Sequence, residues 1–532
     1  MKNKFAKILT LVLSVIMLFS STVGCKKEAE HPTLPDYTER AKSYDFYAYS
    51  GPDRGWFSRD GEIFVTGPDK RTKEGYTTYK EAGFNIVLLG GSAGVETTTW
   101  QNSEAKRAAD ALLSAGIDRW IMVDYKLVTW ADQAEKLVGN GCTFKDEEAL
   151  YQAIKEQCAE YMQYEGFYGI KLRDEPHSRQ TDAIGAIARC LYRLADELKL
   201  ERPFLELCLV GYGPSGMYYG DKAKGDYATA YVNDYIKGYL ESTGVDAVTS
   251  DFYWFRENNQ GNYLSNATTC IRLLKKVLDD YSAEKEKDLG LNIVLQSFEL
   301  FEGKSPRWRR VCKSDMMMEM YTMMGHGATG FSYYTYMPAE ASMGSNTPWG
   351  VESCFITNEG KKTNVYYYGQ ELMSWAQEMG KILLNYDFKG SLVYNCMDSY
   401  DRPANFSLAP YIGDTYLNGD EELGREPLQE WLDVNAHEFT HVKGVEFDND
   451  VVLVSELYDD VEDLYCYMVQ NIVDPSMGYL GSTDERVTVT FDSQFTHVAE
   501  IKDGRITYVA LEDGVYSKTL SAGHAVFLIP LK

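Results

Sequence analysis

The amino-acid sequence predicts an α/β fold, a (β/α)8 TIM barrel followed by a C-terminal antiparallel β-sandwich. From Tyr44 to about Phe388, short β-rich apolar runs alternate with longer amphipathic segments, as in repeated βα units around a parallel sheet. Eight such units can be counted, and the first strand lacks the glycine-rich phosphate loop of a doubly wound sheet. After Phe388 the helical period disappears and short β-runs separated by turns take its place.

The N-terminus has the pattern of a bacterial lipoprotein signal, predicted over residues 1–25. Three lysines precede an apolar run from Ile8 to Phe19, which is too short to cross a bilayer. Small residues before Cys25 resemble a lipobox, so Cys25 is the predicted lipidation site and residues 26–43 a polar tether. An ordinary signal peptide cut near Gly24 is the alternative. We therefore expect an extracytoplasmic protein that contacts a bacterial membrane only through a lipid anchor.

The barrel is predicted over residues 44–388. Its strand starts lie roughly 35 to 50 residues apart, which is room for one strand, one helix and two loops. The strand candidates are Asp45–Tyr49, Asn85–Leu89, Trp120–Asp124, Tyr168–Leu172, Phe204–Val210, Ala247–Phe252, Asn292–Gln296 and Gly330–Tyr334. Helical periodicity indicates seven helices, at Glu104–Ala115, Glu147–Tyr164, Asp182–Leu200, Ala228–Ser242, Leu264–Tyr281, Asp315–Met324 and Tyr366–Leu384.

Residues 389–532 are predicted to form a junction segment and an accessory β-sandwich. The polar stretch from Asp398 to Gly424 is the expected junction. Alternating runs between Gly and Asp turns indicate strands at Val451–Leu457, Tyr465–Val469, Val487–Phe491, Ile506–Leu511 and Ala525–Leu531.

Composition limits the partners. The formal net charge of −26 disfavours nucleic acid and anionic lipid surfaces, because like charges repel and no basic block compensates them. The ten cysteines show no paired CxxC spacing, so we interpret them, apart from Cys25, as mainly buried thiols. The composition therefore favours neutral, small or polymeric ligands.

Carboxylates follow the predicted strands, where a barrel of this type carries its active site. Glu175 lies at the lip of the fourth strand, because Pro176 ends that strand, and Glu299 follows the seventh. Glycosidic cleavage needs one protonated carboxyl and one ionised carboxylate, a requirement that this pair meets. Asp251 and Glu302 compete with Glu299 for the second role. Alternatively, each acid caps the following helix or forms an exposed ion pair.

Polar and aromatic side chains near the same strand ends are predicted to bind substrate. Sugar rings stack on aromatic faces, although such rings can equally be barrel core. The predicted substrate-binding residues are Arg173, Asp174, His177, Asp251, Tyr253, Gln296, Tyr333 and Trp349.

Four short motifs resemble one family. They are Asp174-Glu175-Pro176, the Asp-x-Tyr of residues 251–253, the Val-Leu-Gln of residues 294–296 and the Gly-Ala-Thr-Gly of residues 327–330. Together they resemble the clan A (β/α)8-barrel glycoside hydrolases, similar to β-galactosidase and cellulase barrels. The resemblance covers Tyr44 to about Phe388 and implies a retaining mechanism, with Glu175 as acid/base and Glu299 as nucleophile.

One residue departs from that family pattern. The clan usually has Asn immediately before the acid/base, where this chain has Asp174. An ionised Asp accepts hydrogen bonds but cannot donate them. It also places a like charge beside Glu175, which favours a proton donor if both groups are poorly solvated.

A second motif, His437-Glu438-Phe439-Thr440-His441, matches the His-Glu-x-x-His pattern of zinc peptidases. That pattern binds zinc only on a helix, whereas Gly444 and the alternation of Val445 and Phe447 favour a strand or loop.

Our hypothesis is an extracytoplasmic glycoside hydrolase that cleaves a glycan, an oligo- or polysaccharide, with retention, and we expect it to need no cofactor and no metal. The alternatives are a non-catalytic glycan-binding lipoprotein on the same barrel, a solute-binding lipoprotein and a zinc peptidase.

Overall fold

The structure is a computed structural model. It describes residues 31–53, 56–59, 62–65, 67–90, 100–212, 218–219, 226–256, 260–302, 305–343, 347–352, 354–395, 417, 426–448, 451–475 and 483–532. The signal segment and Cys25 lie outside these residues, as does nearly all of the expected junction segment. Within the described part of the chain, no helix has both the length and the apolar character needed to cross a membrane.

Eight parallel strands form the barrel, and all eight were predicted from the sequence. They are β1 (Asp45–Ala48), β4 (Val87–Leu89), β5 (Trp120–Met122), β6 (Phe167–Asp174), β7 (Phe204–Val210), β8 (Ala247–Asp251), β9 (Gly290–Gln296) and β12 (Gly330–Tyr334). Each strand pairs in parallel with the next, in the order β1-β12-β9-β8-β7-β6-β5-β4. The backbone N–H groups of Asn85 and Ile86 donate to the carbonyl of Phe46 at 3.0 and 3.1 Å, which links the first two strands.

Helices follow the barrel strands on the outside of the barrel, the last helix lies in the C-terminal region, and the seven predicted helices are present. The helices are Lys73–Glu81, Glu104–Ser114, Tyr125–Ala131, Glu147–Met162, Thr181–Leu198, Tyr227–Thr229 continuing as a π-helix Ala230–Lys237 and an α-helix Gly238–Thr243, Gln260–Lys285, Lys313–Gly325, Asn364–Leu383 and Gln429–Asn435. The first of these was not predicted, because it is short, rich in Lys, Thr and Tyr, and buries only Tyr76 and Tyr79.

Three excursions from the C-terminal ends of β1, β9 and β12 build a second sheet beside the barrel mouth. Its strands are β2 (Trp56–Arg59), β3 (Glu62–Val65), β10 (Glu299–Glu302), β11 (Ser305–Trp308), β13 (Ala339–Met343) and β14 (Thr347–Glu352). They associate in the order β11-β10-β14-β13-β2-β3. The sequence did not predict this sheet. The chain that follows β9 leaves the barrel sheet and forms β10 and β11 of this second sheet.

The C-terminal region is a β-sandwich, as predicted. Its strands are β15 (Asp387–Asn395), β16 (Val442–Phe447), β17 (Val451–Asp459), β18 (Leu464–Asn471), β19 (Glu485–Phe491), β20 (His497–Lys502), β21 (Arg505–Ala510), β22 (Val515–Leu520) and β23 (Ala525–Leu531). A six-stranded sheet, β15-β17-β18-β23-β20-β21, packs against a three-stranded sheet, β16-β19-β22, through a shared apolar core. The predicted boundary at residue 389 falls inside β15.

The barrel and the sandwich share one apolar core that surrounds the helix Lys313–Gly325. Polar contacts tie this helix to the sandwich, since Thr322 donates to Gln470 at 2.7 Å and Gln470 donates to the carbonyl of Met318 at 3.0 Å. The described part of the expected tether is also packed. Within it, Arg40 donates two hydrogen bonds to the Asp459 carboxylate, at 3.0 and 2.9 Å.

The thiols are mostly buried, as expected. All eight cysteines among the described residues are free, and six of them are buried. Cys142 and Cys312 are the two with greater solvent access.

Candidate active site

Glu175 occupies the lip of barrel strand β6, where the sequence places it. The strand ends at Asp174, and Glu175 adopts a left-handed backbone conformation with φ of +44°. Its N–H donates to the carbonyl of Cys208 on the neighbouring strand at 2.9 Å. A non-glycine residue in this region costs about 1 kcal/mol or more, and such residues cluster at functional sites. The backbone therefore breaks the strand alternation to orient this one carboxyl.

The carboxyl of Glu175 has two partners. The phenol of Tyr218 donates to it at 2.7 Å, and the carboxyl of Asp251, the last residue of β8, lies within hydrogen-bond reach. Burial raises the pKa of Asp251 well above its ordinary value, and the charges of Glu175 and Asp174 act in the same direction. Burial and the two neighbouring carboxylates thus favour the protonated form of Asp251.

Aromatic rings line the mouth beside this acid pair. Tyr253 lies 5.1 Å from Phe298 and 5.9 Å from Tyr334, measured between ring centroids. Tyr49 lies 6.1 Å from Tyr334 and closes the group. These rings come from four barrel strands or the residues just after them, so they form one continuous aromatic wall.

A charged network lies next to the acid pair inside the barrel. The ammonium group of Lys171 is 3.3 Å from Asp174, 3.7 Å from Glu206 and 3.5 Å from the ring centroid of Tyr49. Burial lowers the pKa of Lys171, but the two carboxylates outweigh it, so that pKa lies above its ordinary value. Tyr49 also donates to Glu206 at 2.7 Å. Lys171 thus balances carboxylates that would otherwise stand unpaired in the barrel.

A cavity of about 260 Å³ opens on the other side of this network. It lies below the range typical of sites for drug-sized ligands, so it fits one small polar group. Its polar lining comes from Tyr49, Asp53, Arg71, Lys171, Arg173 and Asp174. The cavity therefore extends the candidate site from Asp174 toward strands β1, β4 and β5.

Several predicted substrate-binding residues lie at this mouth. Asp174, Asp251 and Tyr253 belong to the groups described above. Arg173 lines the cavity and forms an ion pair with Asp132 at 3.1 Å. The ring of His177 lies 5.0 Å from that of Tyr218, which places it beside the partner of Glu175.

Glu299 has a different environment from Glu175. It is the first residue of β10, and Arg310 donates to one of its carboxylate oxygens from two nitrogens, at 3.1 and 3.0 Å. The Glu299 side chain retains 16 % of its exposure, against 67 % for Arg310. The sequence predicts that Glu299 faces Glu175, whereas the carboxyl that the structure brings to Glu175 is that of Asp251. The nucleophilic role of Glu299 stays a prediction.

Two predicted substrate-binding residues are in the core, which corrects their placement. Gln296 is fully buried, and its amide accepts from the N–H of Phe255 at 3.0 Å and donates to the carbonyl of Arg309 at 3.1 Å. Tyr333 is also fully buried, with its ring 5.2 Å from that of Phe355. Trp349 lies in β14, opposite Glu302 on β10.

The zinc-peptidase pattern does not lie on a helix. His437 and His441 fall between the helix Gln429–Asn435 and strand β16. His437 contacts Glu456 at 3.0 Å and His441 contacts Asp492 at 2.8 Å, so the two rings bind different carboxylates. Within the described ranges, no group of three or more His, Cys, Asp or Glu side chains is arranged to hold a metal ion.

Sequence reasoning missed Tyr218, Lys171 and Glu206. Tyr218 lies between β7 and the next helix, outside regular structure, and no pattern marks it. A signal did exist for the other two, because Lys171 lies between the apolar residues Ile170 and Leu172, and Glu206 is the one charged residue of β7. Their pairing follows from register, since Lys171 and Glu206 are opposite each other on β6 and β7.

Comparisons with known proteins give structural matches only. No protein-family model matches the sequence, and no curated protein matches it. The fold is similar to an α-amylase from Anoxybacillus, at 10% identity and a TM-score of 0.43, covering 93% of this chain and 99% of that one. A GH30 endoxylanase from Clostridium papyrosolvens C71 matches at 10% identity and 0.37, covering 92% and 97%. A β-galactosidase from the psychrophilic Marinomonas ef1 matches at 10% identity and 0.41, covering 64% and 62%. The case for a function rests on the side chains of the barrel mouth.

Proposed function

We propose that this protein is a glycoside hydrolase that uses Glu175 and Asp251 as its two carboxyl groups. One observation carries the proposal: two neighbouring carboxyls lie beside an aromatic wall at the C-terminal end of a (β/α)8 barrel, and burial favours the protonated form of one of them, Asp251. Glycosidic cleavage needs one protonated carboxyl for the leaving oxygen and one ionised carboxylate for the anomeric carbon. A pair of neighbouring carboxyls in unlike surroundings meets this need.

The surroundings of the two acids favour an assignment of roles. The Glu175 carboxyl accepts a hydrogen bond from the Tyr218 phenol, whereas burial favours the protonated form of Asp251. Asp251 is then the proton donor and Glu175 the nucleophile. Inverting enzymes separate their carboxyls by roughly 6.5 to 9.5 Å to hold a water molecule, whereas retaining enzymes hold them about 5 to 5.5 Å apart. Because Glu175 and Asp251 are direct neighbours, the pair favours retention of configuration.

A leaving-group series tests this assignment. The full chain would first be screened against aryl glycosides and polysaccharides, with product anomers followed by NMR. Asp251→Asn should impair substrates with poor leaving groups most and activated aryl glycosides least, since only the former need protonation. Glu175→Gln should stop both kinds, because no glycosyl intermediate can form. The opposite pattern would restore Glu175 as the acid/base that the sequence predicts.

Controls separate chemistry from folding. Glu160→Gln changes an exposed carboxyl on the helix Glu147–Met162 and should hydrolyse like the wild type. Equal rates for Asp251→Asn, Glu175→Gln and the wild type would end the glycosidase proposal.

A non-catalytic glycan-binding protein is the second candidate. The ion pair between Arg310 and Glu299 favours this candidate, because Arg310 occupies the carboxylate that the sequence predicts to be the nucleophile. Glycan binding by calorimetry, without any release of reducing sugar, would support this alternative.

We propose further that Cys25 anchors the protein outside the cytoplasm through a lipid. The lipobox-like pattern before Cys25 supports this. Radiolabelled palmitate should enter the wild type, whereas Cys25→Ala should remain unlabelled and be released from membranes with its fold intact. Equal labelling of the variant would remove the anchor.

A further inference from the structure

A buried carboxyl, that of Glu319, contacts the backbone at the end of β9. Glu319 is on the helix Lys313–Gly325, between the barrel and the sandwich, and it is fully buried. One of its carboxyl oxygens accepts the backbone N–H of Gln296, the last residue of β9, at 3.1 Å. The carboxyl also lies beside the backbone of Trp254, three residues beyond β8. A single side chain on one helix therefore lies between two neighbouring strand ends and holds one of them directly.

Gln296 extends this contact to the backbone that follows β8, and we call Glu319 and Gln296 together the clamp. The side-chain oxygen of Gln296 accepts the N–H of Phe255, four residues beyond Asp251, at 3.0 Å. Its nitrogen donates to the carbonyls of Phe298 at 3.3 Å and Arg309 at 3.1 Å. The clamp thus fixes the backbone that follows Asp251 and the backbone that follows β9. Because the oxygen and the nitrogen of the Gln296 amide are both used in these hydrogen bonds, the amide has no group left to bind a ligand.

Asp251 is three residues before Trp254, and the intervening segment carries Tyr253 of the aromatic wall. Trp254 and Phe255 are almost wholly buried, so the clamped end of this segment has no freedom to reorient in solvent. The position of the Asp251 carboxyl relative to Glu175 therefore depends on where the clamp places this end. A displacement of about 1 Å at a reacting group can reduce a rate roughly 100-fold.

We propose that Glu319 is a positioning residue that sets the contact between Asp251 and Glu175 by holding the N–H of Gln296, whose side chain in turn holds the N–H of Phe255. The sandwich takes part through the same helix. Gln470 on β18 binds Met318 and Thr322, which flank Glu319, so the accessory domain fixes the helix that fixes the acid. The kinetic consequence rests on the proposed function, but the geometric one does not.

Three variants of Glu319 test the role. Glu319→Leu removes the acceptor, Glu319→Asp withdraws it by one methylene, and Glu319→Gln keeps an acceptor oxygen of nearly the same shape. Burial raises the pKa of Glu319 well above its ordinary value, so the neutral Gln is a close mimic. Met320→Leu, on the same helix and equally buried, is the matched control.

The first readout is the titration of Asp251, followed by infrared difference spectroscopy of the carboxyl groups and assigned with Asp251→Asn. In Glu319→Leu and Glu319→Asp we expect the Asp251 pKa to move toward the ordinary value, because the contact with Glu175 loosens. Glu319→Gln and Met320→Leu should titrate like the wild type. If Glu319→Leu fails to fold, Glu319→Asp decides alone.

The second readout is hydrolysis of whichever glycoside the wild type cleaves. We expect kcat to fall about 10- to 100-fold in Glu319→Asp with KM little changed, and to recover in Glu319→Gln. A folded Glu319→Asp with the wild-type titration and rate overturns the proposal. If the wild type cleaves nothing, the proposed function has failed, and the titration still decides the positioning role.

Discussion

Two carboxylates that follow barrel strands have opposite surroundings in this molecule. Glu175 contacts the carboxyl of Asp251 and a phenol, and within the described residues no Lys or Arg forms an ion pair with either acid. Glu299, three residues beyond the end of β9, is held by Arg310. A buried carboxyl beside other carboxylates favours its protonated form, which can donate a proton, whereas an adjacent guanidinium balances the charge of a carboxylate. Under the proposed function, the partner, more than the position along the strand, distinguishes the reacting acid from the structural one.

The largest expected difference between these two regions is in turnover. Asp251→Asn should lower kcat about 10²- to 10⁴-fold on substrates with poor leaving groups, since it removes the transferable proton. Glu299→Gln should lower kcat less than about tenfold, because general acid–base transfer does not pass through it. Steady-state kinetics of both variants on one substrate give the ratio. A loss for Glu299→Gln as large as that for Asp251→Asn would return the nucleophile to the position that the sequence predicts.

The sequence pointed to Glu299 because it marks the end of β9 but not the path of the chain beyond it. Sequence patterns locate the barrel strands because β-branched and apolar runs mark them, and all eight are present. They do not show that the chain after β9 enters a hairpin, which carries Glu299 against Arg310. The position of Asp251 is not ambiguous in this way, because Asp251 is itself the last residue of β8 and so lies at the rim of the barrel.

The inward or outward direction of barrel side chains was also beyond the sequence. Strands of a parallel barrel are buried on both faces, so no polar alternation reveals which residues face the mouth. Gln296 and Tyr333 were therefore predicted to bind substrate, whereas both are in the core. Tyr218 lies in an irregular segment, where only the folded chain brings its phenol to Glu175.

A smaller effect should appear in stability. Asp251 has a folded-state pKa above its unfolded value of about 3.9, so the folded protein binds the extra proton between those two values. Its contribution to the free energy of unfolding is fully present below about pH 3.9 and is lost as pH rises through the folded pKa. Asn does not titrate, so Asp251→Asn should gain stability relative to the wild type as pH rises from about 4 to 8.

Urea unfolding at several pH values checks this expectation. Glu160→Gln, which changes an exposed carboxyl on the helix Glu147–Met162, serves as the control. A stability difference between Asp251→Asn and the wild type that stays constant over this range would show that Asp251 does not retain a proton in the folded state.

The smallest expected effect concerns the ion pair itself. Arg310 is two-thirds exposed, so solvent screens its attraction for Glu299, and a double-mutant cycle of Glu299→Gln and Arg310→Gln should give a coupling energy below about 1 kcal/mol. Arg310→Gln should also leave kcat nearly unchanged, since the pair holds the β10 hairpin and not the reacting groups. Unfolding in urea gives the coupling, and the same glycoside assay gives the rate. A tenfold change in kcat for Arg310→Gln would mean that the charge on Glu299 reaches the substrate, and the separation between the chemical and the structural carboxylate would no longer hold.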